Sequence, residues 1–179
     1  MAELSHLQSG WWVTGLVDGE GCFFSSVNFR SKTTSSGNEV PSVWLQTELS
    51  VLLRADDVEA LEKLQSYFSC GIVSNLRRHD SSKSNGNPYR TFKVRKLEDI
   101  ISKVIPHFEK FPLQSKKARD FEIWKSIINF HTNELAGSKG WVRRFPEKLE
   151  ALNGLCTELR LVREYSAILG EDQTHVRAH

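Results

Sequence analysis

The residues best placed to do chemistry lie at positions 13–21: Val13, Thr14, Gly15, Leu16, Val17, Asp18, Gly19, Glu20 and Gly21. Gly15 and Gly19 stand one helical turn apart, and their missing side chains let another backbone approach closely. That backbone belongs either to a neighbouring helix or to the same helix of a second copy. Glu20 falls at the C-terminal end of this helix, where the dipole disfavours negative charge, so its carboxylate asks for a compensating cation. Small residues that bring two such helices together also bring two Glu20 carboxylates together, and that pair suits a divalent metal. Gly21 then lets the chain turn sharply into the next segment. On spacing alone, the stretch fits equally well a surface helix ending in an acidic turn.

The surrounding elements must hold this stretch in place. Residues 11–18 form an apolar run that reads as a helix. Phe23, Ser25, Val27 and Phe29 alternate with Phe24, Ser26, Asn28 and Arg30, the period of a strand. After a polar turn at 31–38, Leu45, Thr47, Leu49 and Val51 alternate with Trp44, Gln46, Glu48 and Ser50, completing a hairpin with one apolar face. Asp56 and Glu59 have capping-box spacing for a helix whose inner stripe is Val58, Leu61, Leu64, Gln65 and Phe68. Residues 71–78 and 89–94 read as two further strands around a Ser/Asn/Gly-rich loop, with Phe92 and Val94 inward and Tyr89, Thr91 and Lys93 outward. A helix over 97–108 stops near Pro106 and Pro112. Ser115 caps a long helix to about residue 135, with Ala118, Phe121, Trp124 and Ile128 inside. Pro146 opens a helix carrying Leu149 and Leu152, and a last helix covers 157–169. The order α-β-β-α-β-β-α, with helices to follow, predicts an α+β fold: a four-stranded antiparallel sheet with helices on one face. One domain over 1–179 is expected, with its core at 9–169 and a frayed tail at 170–179.

Charge is unevenly placed. The whole chain is at +2, but residues 77–119 hold twelve basic and four acidic residues, a local +8 that leaves the rest at −6. Such a segment suits a polyanion, or else is a solvated basic face. Cys22, Cys70 and Cys156 are far apart and share no metal-ligand spacing, so neither a disulfide framework nor a zinc site is expected. No apolar run approaches a membrane span, and residues 1–6 lack a secretory layout. The expected compartment is a bacterial or archaeal cytoplasm or an organelle, with no secretion and no membrane partner.

Residues 13–21 resemble the nine-residue LAGLIDADG motif, with Gly15, Leu16, Asp18 and Gly21 identical and Thr14, Val17, Gly19 and Glu20 mild replacements. Cys22, Phe23 and Phe24 are similar to that family's first strand. Residues 108–118, which include Phe111, Pro112, Leu113, Lys116 and Lys117, resemble its later phenylalanine–proline–leucine–lysine segment. The likeness covers roughly residues 9–165 and identifies the chain as a member of the single-motif type.

That resemblance implies an intron-encoded homing endonuclease. A saddle-shaped sheet would grip a long, pseudo-palindromic double-stranded DNA site in the major groove, and both strands would be hydrolysed with Mg²⁺, leaving 3′ overhangs. It implies a homodimer paired through Trp12, Gly15, Leu16 and Gly19. Glu20 and the Gly21 carbonyl would hold the metal, with Asp18 structural. The basic residue beside the site maps to Lys116, with Lys117 as the alternate, stabilising charge at phosphorus. The DNA face would comprise Ser26, Asn28, Arg30, Lys32, Gln46, Glu48, Ser74, Arg77, Arg78, Tyr89, Thr91 and Lys93. Of these, Arg30, Arg78 and Lys93 suit guanine, and Asn28 and Gln46 suit adenine. The glutamine that several relatives carry late in the second strand is missing from residues 50–54, and Gln46 comes too early. An RNA maturase, with intron RNA as partner, is the alternative within the same fold.

Overall fold

A computed structural model of the chain describes residues 2–33, 35–77, 87–135 and 146–172, with the side chains of 2–7, 30, 32, 40–42 and 164–172 left aside. The first elements are α1 (Ala2–Glu20), β1 (Gly21–Thr33), β2 (Glu39–Arg54), α2 (Val58–Phe68), β3 (Ile72–Val73) and β4 (Tyr89–Val94). There follow α3 (Leu97–Asp99), a π-helical stretch (Ile100–Val104), α4 (Ile105–Lys110), α5 (Lys117–Phe130), a second π stretch (His131–Leu135) and α6 (Pro146–Asp172). The sheet order is β1-β2-β4-β3, with the β2–β4 and β3–β4 pairs antiparallel. This is the α+β arrangement expected. By its backbone the chain divides into two compact units, Met1–Phe24 with Thr47–Ala118, and Ser25–Gln46 with Arg119–His179.

In the first unit α1 buries Val13, Thr14 and Val17 and leaves Gln8, Trp11, Gly15 and Gly19 exposed, a three-to-four-residue repeat on its outer face. The core joins Phe23, Leu49, Val51, Leu61, Leu64, Phe68, Phe92, Val94, Ile100, Val104 and Phe108, all at or near zero exposure. Burying each such side chain contributes about 1.5–3 kcal/mol. Phe23 meets Phe108 edge-on at 5.6 Å, and Phe68 stacks on Phe92 at 6.3 Å. A Cβ at Gly10 would lie 2.5 Å from the Phe111 ring, so the missing side chain is what lets α1 press onto that ring.

Three local expectations are corrected. Asp56 does not cap α2: it lies within a 3-10 turn, Ala55–Asp57, ahead of the helix, the N-cap is Asp57 with no side-chain bond, and the Asp56 carboxylate pairs with Arg54 at 2.7 Å. The third strand is two residues long, not eight. The Thr91 amide donates to Ser74 Oγ (3.0 Å), which interrupts the ladder, and pairing returns only as a single bridge between Arg77 and Tyr89. In the second unit, α6 is one 27-residue helix where two were expected. Gly154 costs about 1 kcal/mol inside a helix, but Leu152, Cys156 and Leu159 recur on one buried face and outweigh it. Phe121, Trp124, Ile127, Ile128 and Leu135 are buried in the same unit, and Lys148 bridges Glu134 at 2.9 Å. The three cysteines are free. Among the described residues no helix is long and apolar enough to cross a membrane.

Candidate active site and nucleic-acid face

The end of α1 is fixed by five hydrogen bonds. Asp18 Oδ2 accepts from the Gln114 amide (2.7 Å), and Oδ1 accepts from the Ser115 amide (3.3 Å) and hydroxyl (2.7 Å). Ser115 Oγ in turn accepts from the Lys117 amide at 3.1 Å, the cap expected for α5. The Lys117 ammonium reaches back to the carbonyls of Asp18 (2.7 Å) and Gly19 (2.8 Å). A cation there complements the helix dipole, and so relieves some of the electrostatic burden that Glu20 adds. Of the two candidate lysines, then, Lys117 is the one whose charge lies at the motif's end, and Lys116 is exposed beside it.

Glu20 is exposed, and its carboxylate has no hydrogen bond or ion pair among the described residues. Gly21 is dictated by space: an added Cβ would lie 2.5 Å from both the side chain and the carbonyl oxygen of Val17. Trp12 is half-buried beneath the Lys63 ammonium, 4.1 Å from its ring. Trp11 is the aromatic on the exposed face, at 48% exposure, and the sequence reading passed over it.

Deeper in, the chain from Tyr67 to Phe111 anchors α1. The Thr14 hydroxyl donates to the Phe111 carbonyl (2.8 Å), which leaves His107 Nε2 as the donor to Thr14 Oγ1 (3.3 Å). Burial pushes the Tyr67 phenol up, and that protonated hydroxyl donates to His107 Nδ1 at 3.0 Å.

The strand register lays out the outward face row by row. Ser50, Lys93 and Ile72 form one row, and Leu52 and Thr91 the next, joined by Ser74. Arg54, Tyr89 and Arg77 follow. At the near end Glu48 is buried beneath two cations, Lys93 Nζ at 2.8 Å and Arg95 Nε at 2.6 Å. Burial raises the Glu48 carboxyl, but the hydrogen bonds and charges of Lys93 and Arg95 outweigh it, and it titrates below the usual carboxylate range. Glu48 thus aims the two cations rather than facing solvent itself. Thr91 is also buried. In the second unit, Asn28 Nδ2 donates to Ser26 Oγ (3.1 Å) and Gln46 Oε1 (3.2 Å), which joins three of the expected face residues. Arg78 and the side chains of Arg30 and Lys32 lie outside the described residues. Arg95 and Leu52 were missed, yet both were legible from parity: Arg95 extends the outward series 89, 91, 93, and Leu52 shares a face with Ser50.

Because the folded Glu48 carboxyl is depressed, its stabilisation is full above the ordinary glutamate range and is lost as pH falls through the folded value. Glu48→Gln should cost about 1 kcal/mol at neutral pH, and the gap to the parent should close in acid. Denaturant unfolding at pH 7 and pH 3 measures this, and a gap independent of pH would refute the ion-pair account.

The fold and the motif end together define a class, and comparison with known proteins agrees. The family model for LAGLIDADG endonucleases matches residues 13–128. The chain belongs to the LAGLIDADG endonuclease family. It is 28% identical over 118 residues to a Podospora anserina protein encoded in ND4 intron 1, covering 66% of this chain and 23% of that protein. The homing endonuclease I-TnaI is similar in structure, with a TM-score of 0.56 and 27% identity, over 87% of this chain and 96% of that one. The homing endonuclease I-GzeII, solved with its DNA target, gives 0.57 and 26% over 80% of this chain and 43% of its own. The chain therefore spans under a quarter of the length of this curated relative.

Proposed function

We propose that this chain is one half of an intron-encoded homing endonuclease that cuts both strands of a long, pseudo-palindromic DNA site with Mg²⁺, leaves 3′ overhangs and acts as a homodimer. The observation that carries this reading is the uncommitted Glu20 carboxylate, held at the rigid end of a helix whose outer face is bare at Gly15 and Gly19. I-GzeII, bound to its DNA target, supports duplex DNA as the substrate class. The intron location of the Podospora relative supports an organellar gene among the sources the sequence left open.

Among the described residues no cluster of three His, Cys, Asp or Glu side chains is present. One hard carboxylate with a neighbouring carbonyl nevertheless fits Mg²⁺, which is commonly held by one or two carboxylates plus phosphate oxygens and water. Glu20 and the Gly21 carbonyl would hold it, and the bound ion would supply charge neutralisation at phosphate and acidification of water. Asp18, through the turn at 114–115, keeps the helix end from moving. Lys117 holds the two carbonyls before Glu20 and so sets the direction of its carboxylate while placing positive charge beside a bound phosphate. Ser50 is the polar outward group in the strand where relatives carry a glutamine, and it is our candidate to orient the water.

Lys117→Met should therefore lower the cleavage rate about 100-fold with DNA affinity changed less than threefold, whereas Lys116→Met should change the rate less than fivefold. The assay is incubation of the full chain with DNA of the intron-free allele, with and without Mg²⁺. Metal-dependent cutting supports the proposal, while RNA binding without cutting would replace it with assistance to splicing.

A further inference from the structure

Two large apolar side chains stand where a soluble sheet face should be polar. Ile72 is 73% exposed and Leu52 43% exposed. They occupy adjacent rows of the outward face, Ile72 beside Lys93 and Leu52 beside Thr91. Both line an open groove of about 1030 Å³ together with Arg77, Lys93, Arg95 and Lys96. The acids near this groove are paired: Glu48 with Lys93 and Arg95, Glu98 with Lys96 at 2.9 Å, and Asp99 with Lys103 at 3.0 Å. The lining therefore combines exposed apolar side chains with four cations, Arg77, Lys93, Arg95 and Lys96, and one acid, Asp99.

We propose that Leu52 and Ile72 form a reading strip for thymine, recognising its C5-methyl group in the DNA major groove. This rests on the DNA-cleaving function proposed above and specifies which base edge that face selects. Charge complementarity argues for the polyanion: a rim of lysine and arginine would repel a basic protein and suits phosphate. Within a major groove, the thymine C5-methyl is the base-edge group that apolar side chains contact, and the edges of A, G and C carry no such methyl. The strip thus favours T through the methyl that Leu52 and Ile72 bury. Uracil lacks the methyl, so the same surface favours DNA over RNA of the same sequence.

The experiment selects bound duplexes from a random-sequence DNA pool with the full chain, then remakes the selected sites with dU for dT one position at a time. Two or more positions per half-site should prefer T, and dU there should weaken binding about three- to tenfold, the worth of a buried methyl. Leu52→Ser and Ile72→Ser, both at exposed positions, should erase the preference for T over dU at those positions. If sites are selected but dU is tolerated within twofold throughout, or the T preference survives both serine variants, the strip does not read thymine and the endonuclease reading stands. If no sequence is selected at all, the DNA reading fails along with it.

Discussion

Glu20→Gln should reduce cleavage by about 1,000-fold or more while DNA affinity stays within a few fold and the fold becomes slightly more stable. The three effects come from one geometry. The carboxylate is exposed and unpartnered among the described residues, so the isosteric amide breaks no contact. It stands at the negative end of a helix dipole, where removing an anion stabilises by about 0.3–1 kcal/mol. The lost negative charge is the one that would hold the metal. Asp18→Asn is the control that separates placement from chemistry. Asp18 accepts three hydrogen bonds from residues 114 and 115, so its loss should cost about 1–2 kcal/mol of stability. Nicking assays and thermal unfolding on both variants test this. A Glu20→Gln protein that is inactive because it is unfolded, or fully active, would remove the metal assignment.

What the sequence conveyed here and what it hid divide along physical lines. Periodicity located β4 at Tyr89–Val94 and placed Phe92 and Val94 inward. It also marked residues 11–18 as helical, but an apolar run does not say which side chains turn inward, and the burial of Val13 and Val17 had to come from the structure. Long-range pairing was not legible. Nothing in the spacing says that His107 meets Thr14 and Tyr67, or that Lys117 reaches the carbonyls of Asp18 and Gly19. Lys116 and Lys117 are adjacent, and nothing in their spacing says which of them reaches those carbonyls. Side chains that compete with the backbone were equally hidden: the Ser74 hydroxyl shortened β3, and the Asp56 carboxylate pairs with Arg54 and does not cap α2. Glu48 was read as solvent-facing because parity gives a face and not a depth, and two cations make its burial tolerable.

Gly15→Arg should leave the isolated chain as stable as the parent or more so, yet convert it to a monomer and lower double-strand cleavage at least 100-fold. A Cβ built at Gly15 or at Gly19 meets no atom within 4 Å, so neither glycine is required by this chain's own packing. Glycine inside a helix costs about 1 kcal/mol relative to alanine, and two of them on one exposed face, with Trp11 one turn earlier, is a cost the monomer has no reason to bear. A partner backbone approaching that face gives the reason. The same approach would carry a second Glu20 to the opposite strand, which two scissile phosphates require and one motif lacks. Stability and assembly should therefore move in opposite directions in one variant. Sedimentation, thermal unfolding and plasmid linearisation of Gly15→Arg measure the three quantities, and a variant that still sediments and cuts like the parent would mean that α1 faces solvent and that the catalytic pair is built some other way.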